Sequence, residues 1–92
     1  MSKRADMWDH FARKVRHHVD DYTVPQYGDA PDDLLSSFTP DQCMAQVKKY
    51  AARFGRNSRP GQDEMDLLKM AHYISEVWWK MDIGRKPDNA DE

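Results

Sequence analysis

Apolar side chains recur along most of this chain at steps of three and four, the period of one face of an α-helix. Trp8, Phe11, Val15, Val19 and Tyr22 set the first such face, with Asp9, Arg13, Lys14, Arg16, His17 and Asp20 opposite, and predict a helix over about 5–22. The text then changes to TVPQYGDAPDD, where Pro25, Gly28 and Pro31 argue for a connection without regular structure. DDLLSSF follows, with acidic residues where a helix N-terminus favours them and Leu34, Leu35 and Phe38 to turn inward, so a short helix is expected over about 32–38.

Thr39-Pro40-Asp41-Gln42 is a start signal in three parts. Threonine accepts at the N-cap, proline stands where its missing N–H costs nothing, and glutamine closes a capping box. The third helix therefore runs over about 40–54, with Cys43, Val47, Tyr50, Ala51 and Phe54 on its apolar face and Gly55 as its stop. RNSRPG makes a turn, and Gln62-Asp63-Glu64 opens a fourth helix to about residue 81. Leu67, Ala71, Ile74, Trp78 and Met81 form one stripe on it, flanked by Leu68, Met70, Val77 and Trp79; an apolar arc this wide is expected in the core. No alternating stretch long enough for a strand occurs. The pattern predicts an all-α fold, a small helical bundle of three long helices and one short one within residues 1–83. Its third and fourth helices form an antiparallel hairpin, and a disordered tail follows over 84–92.

At 92 residues the core is small, and every helix must contribute a face to it. With 39% hydrophobic and 33% charged residues, the chain is too apolar for disorder and too polar for a membrane span. A formal net charge of −2 gives no general attraction to nucleic acid, so any anion site must be local. The single cysteine, Cys43, can form neither an internal disulfide nor a cysteine-based zinc site, and its apolar position reads as buried filler. The charged opening MSKRADMWDH lacks the apolar run of a signal peptide, which points to a cytoplasm.

Candidate chemistry narrows quickly. His10, His17, His18 and His72 include no His-x-x-x-His pair, and cations stand beside the first two, so no metal is expected. No Gly-x-Ser-x-Gly occurs, and Cys43 has no evident histidine partner. Asp63, Glu64 and Asp66 could face a magnesium ion, but the third helix carries no matching glutamates; dipole complementation is the simpler account. What remains is a charged cluster at the turn. Lys49, Arg53 and Arg56 align on one helix, and Asp66, Lys69 and Tyr73 on the next, with Tyr50 nearby. Either Asp66 pairs with Arg53 and locks the hairpin, or Arg53, Arg56 and Lys69 hold a phosphate with their side chains, since no Walker loop is present. Adjacent Trp78 and Trp79 point about 100° apart on a helix, so at least one is expected to stay partly exposed, available to a protein partner or a homodimer.

The runs Lys49-Tyr50-x-x-Arg53-x-Gly55-Arg56 and Asp66-Leu67-x-Lys69-x-x-x-Tyr73 resemble the paired motifs of a short phage protein family of mostly unknown function. That family includes the C-terminal region of a T-odd coliphage nucleotide kinase. The resemblance spans about residues 25 to 80; Arg56 stands for the usual lysine, Met70 for alanine, and Gln26 for a histidine between Pro25 and Tyr27. It implies a phage or prophage accessory protein in the bacterial host cytoplasm, binding a nucleotide or phosphate through Lys49, Arg53, Arg56, Asp66, Lys69 and Tyr73. No resident cofactor is expected, magnesium entering only with a nucleotide. Kinase-like activity is suggested by the resemblance alone. The alternative is a non-enzymatic interaction module that binds a host or phage protein through an exposed helical face.

Overall fold

The computed structural model describes residues 2–29 and 35–81, and among them every regular element is helical. The chain divides into two compact units, one through Ser37 and one from Phe38.

In the first unit, α1 covers Lys3–His18, capped by Ser2, whose Oγ accepts from the Ala5 N–H at 3.0 Å. It passes into a π-helical turn, Val19–Thr23, and then a single α turn, α2, Val24–Tyr27. The helical path thus runs through Pro25, where the sequence argues for an irregular connection. The physical reason is position: Pro25 lies in the first turn of α2, where a missing N–H is tolerated, and the wider π turn before it leaves room for the ring. Gly28, at φ 94°, ends the path in a conformation that side chains disfavour. His18 and Thr23 are buried, and the His18 ring stacks on Tyr22 at 5.1 Å, so this histidine is not a surface group. Trp8 and Met7 stand exposed instead of lining a core. Leu35–Ser37 forms one 3-10 turn with Leu35 buried, and Phe38, expected in the short helix, follows it outside regular structure and half-buried; residues 32–34 of that helix, and the tail over 84–92, lie outside the described residues.

In the second unit, α3 spans Pro40–Arg53 and α4 Gln62–Lys80. The capping box forms as the sequence predicts: Thr39 Oγ1 accepts from the Gln42 N–H at 3.1 Å, and Gln42 Oε1 accepts from the Thr39 N–H at 2.7 Å. Removing the hydroxyl with Thr39→Ala should cost about 1 kcal/mol, or about 4–8 °C in Tm, while Thr39→Ser should stay near wild type. Thermal melts followed by circular dichroism check this, and equal melting of all three proteins would deny the cap any role. Gly55, at φ 78°, turns the chain out of α3, and its N–H donates to Asp63 Oδ1 at 3.1 Å.

α3 and α4 pack on one another through a face that is unusually polar. Cys43 and Tyr50 are buried on α3, and Gln62, Asp66, Leu68, His72 and Tyr73 on α4. The stripe expected in the core lies on the other side: Leu67, Ile74, Trp78 and Met81 are 43, 52, 46 and 55% exposed. Specific polar partners, rather than the greatest apolar content, choose the packed face. No described helix is long and apolar enough to cross a membrane.

Candidate functional site

Tyr50 is the centre of the site. It faces α4 from the third turn of α3 and stacks on Tyr73, ring centroids 6.2 Å apart and planes 21° from parallel. Three cations gather on its ring: Lys49 Nζ at 5.2 Å, the Arg53 guanidinium carbon at 4.8 Å and Lys69 Nζ at 5.2 Å from the centroid. The electron-rich face of an aromatic ring attracts such groups and lets cations stand closer together than they would in water.

Beside the ring lies the Asp66 carboxylate. Arg53 Nε and Nη2 donate to Asp66 Oδ1 at 3.1 and 2.7 Å, and Gln62 Nε2 donates to the same oxygen at 2.7 Å. Gln62 and Asp66 are one helical turn apart, which is why the amide reaches. Asp66 Oδ2 is buried without a hydrogen-bond partner, so the guanidinium grips one oxygen instead of forking across both. The Asp66 side chain is 0% exposed and that of Arg53 39%. The hydrogen bonds from Arg53 hold the Asp66 carboxyl below its usual range against the opposing effect of burial, with help from Gln62 and from the charges of Arg53 and Lys69. Asp66 in turn raises the Arg53 guanidinium.

A depressed carboxyl contributes stability that is present above the unfolded value, about pH 4, and lost as pH falls through the lower folded value. Urea unfolding at a series of acidic pH values should therefore show stability falling below about pH 4, and Asp66→Asn should flatten that part of the profile. An unchanged slope in Asp66→Asn would assign the acid sensitivity elsewhere. Held ionised, buried and bonded to Arg53 and Gln62, Asp66 is not placed to take a proton from a ligand. The cluster is built to hold charge.

No known protein family, curated protein or solved structure matches the chain. The chemistry of the site therefore rests on its own residues.

Five of the six candidate ligand residues, Lys49, Arg53, Asp66, Lys69 and Tyr73, come together around Tyr50. Arg56 does not join them through any side-chain contact seen among the described residues. It is exposed, and its backbone N–H donates to the Arg53 carbonyl at 3.0 Å. One member was missed as a participant. Gln62 read only as part of an acidic helix start, although its place four residues before Asp66 is a signal for an amide–carboxylate bond. Tyr50, expected on the apolar face and beside the cluster, is buried and also holds the cations over its ring.

The remaining candidates sit apart. Trp78 and Trp79 are both exposed and meet edge to face at 5.1 Å. His72 Nε2 lies 3.3 Å from Glu76 Oε2, and Lys80 Nζ 3.8 Å from the other oxygen of that carboxyl. Cys43 is fully buried, and burial pushes its thiol up. Among the described residues, no three His, Cys, Asp or Glu side chains are grouped to hold a metal.

Proposed function

We propose that this protein binds a phosphate-bearing ligand of the nucleotide class on the α3–α4 pair, working as a phage or prophage accessory protein in the cytoplasm of a bacterial host. In this reading α3 and α4 form the antiparallel hairpin of a small bundle, and Tyr50 is the floor of an anion site. The observation that carries it is the gathering of Lys49, Arg53 and Lys69 within 4.8–5.2 Å of one ring centroid, beside the Asp66 carboxylate that is bonded to Arg53. A dianionic phosphate would be drawn to Lys49, Arg53 and Lys69, with Arg56 able to swing in from its loop. The resemblance of the two motifs to the phage family supports the same ligand class. Binding, not catalysis, is what these side chains can supply; magnesium would arrive only with the nucleotide.

Titration of the labelled full chain with a deoxynucleoside monophosphate and, separately, with inorganic phosphate tests this. Amide shifts should concentrate between Lys49 and Tyr73, and Lys49→Gln combined with Lys69→Gln should weaken binding at least tenfold without lowering helix content. If millimolar ligand moves no resonance there, the reading is wrong.

A second reading is supported by a separate observation. Leu67, Ile74, Trp78 and Met81 expose an apolar stripe on α4, the surface expected of a module that binds another protein through a helical face.

A further inference from the structure

We propose that the outward face of α4 is the contact of a homodimer, with the α4 helices of the two copies packed antiparallel about Ile74. The inference rests on the reading of this face as a protein-binding surface and names its partner as a second copy of the chain.

The register is the first argument. Leu67, Met70, Ile74, Val77 and Met81 follow steps of three, four, three and four, the seam of a two-helix coiled coil, where each side chain enters a gap between residues of the facing helix. That seam avoids the face α4 turns to α3, where Gln62, Asp66 and Tyr73 are buried. The helix thus has two working sides, a polar one already engaged and an apolar one on which Leu67, Ile74 and Met81 are exposed and Met70 and Val77 half-buried. Its apolar members at positions 67, 74 and 81 are spaced by sevens, so a two-fold axis at Ile74 sets Leu67 of each copy against Met81 of the other. No charged side chain falls on the seam between these ends.

Charge decides the orientation. The first turn of α4 carries Asp63 and Glu64, both exposed, and its last turn carries Lys80. A parallel pair would set two acidic turns side by side. The antiparallel pair separates them by the helix length, roughly 28 Å. It also opposes the two helix dipoles.

The area is sufficient for a reversible contact. From their exposed fractions, Leu67, Ile74, Trp78 and Met81 offer roughly 400 Å² per copy, about half the footprint of a standard interface before the polar rim is added. An apolar patch of that size is in the range of the largest found on a typical monomer, which is often a functional surface.

Sedimentation equilibrium of the full chain over a wide concentration range tests the proposal. The wild type should rise from the 10.8 kDa monomer to twice that mass, and Ile74→Asp should remain monomeric with unchanged far-ultraviolet circular dichroism. Because Ile74 is half exposed, that substitution should leave the α3–α4 packing intact. Orientation has its own arm. Leu67→Lys and Met81→Glu should each weaken the dimer at least tenfold, and the double variant should recover it, since lysine then faces glutamate across the two-fold axis. A dimer that Ile74→Asp does not disturb, or a double variant that stays monomeric, would overturn the antiparallel seam.

A wild type that is monomeric at every concentration would overturn the dimer, and the indole N–H signal of Trp78 then separates the two ideas. Broadening of that signal by a soluble paramagnetic agent would leave the face open to a different protein. Full protection would remove the protein-binding reading of the face as well.

Discussion

Asp66→Ala is expected to lower the thermal midpoint by roughly 10 °C, and Arg53→Met by more, despite the greater exposure of the arginine. Removing the carboxylate leaves the buried Gln62 amide without its acceptor, at about 1–3 kcal/mol, while Arg53, with 39% of its side chain exposed, can turn to water. Removing the guanidinium is worse because Asp66 is 0% exposed and its Oδ2 already lacks a partner. The stranded carboxylate keeps only the Gln62 bond, and burial then dominates its titration.

The pH dependence should change sign between the two proteins. In the wild type the folded carboxyl titrates low, so stability falls on acidification. In Arg53→Met the folded value rises above the unfolded one, the folded state takes up the proton first, and stability increases as pH drops from neutral toward about 5. Denaturant midpoints at several pH values measure both slopes. Parallel slopes in the two proteins would show that Arg53 does not govern the ionisation of Asp66.

The parts of the fold legible in the sequence are those decided within one helical turn. Thr39, Pro40 and Gln42 mark the start of α3 because a capping box is made of side chains three residues apart, and Gly55 marks its end because few other residues accept that backbone conformation. The passage through Pro25 was not legible: a π turn shifts every following residue relative to its carbonyl partner, and residue preferences do not encode that shift. Periodicity located the apolar side of α4 correctly but not its surroundings. Burial depends on what packs against a face, and the Arg53–Asp66 and Tyr50–Tyr73 pairs commit the other side to α3.

The same distinction runs through the candidate site. Lys49, Arg53, Asp66 and Lys69 were legible because helical spacing aligns them. Arg56 fails because α3 ends before it, and the left-handed Gly55 breaks the register that would set it one turn beyond Arg53. Gln62 was hidden by its neighbours Asp63 and Glu64, whose charges explain a helix start without it.

Tyr50→Ala should be the most damaging single change in the second unit, at about 3–5 kcal/mol, the usual cost of deleting a buried aromatic ring. Three losses coincide: the buried area, the stack on Tyr73, and the surface that lets Lys49, Arg53 and Lys69 stand close together. Tyr50→Leu separates them. Leucine restores most of the apolar volume, so most of the stability should return, but it has no electron-rich face to offset the repulsion among the cations. The folded leucine variant should therefore gain stability with added salt more steeply than the wild type, because screening substitutes for the missing ring. It should also bind phosphate less tightly than wild type, since its lysines spread apart in the absence of ligand. Equal salt dependence in the two proteins would mean that Tyr50 serves as packing alone, and the cations would then be neighbours of the ring without being organised by it.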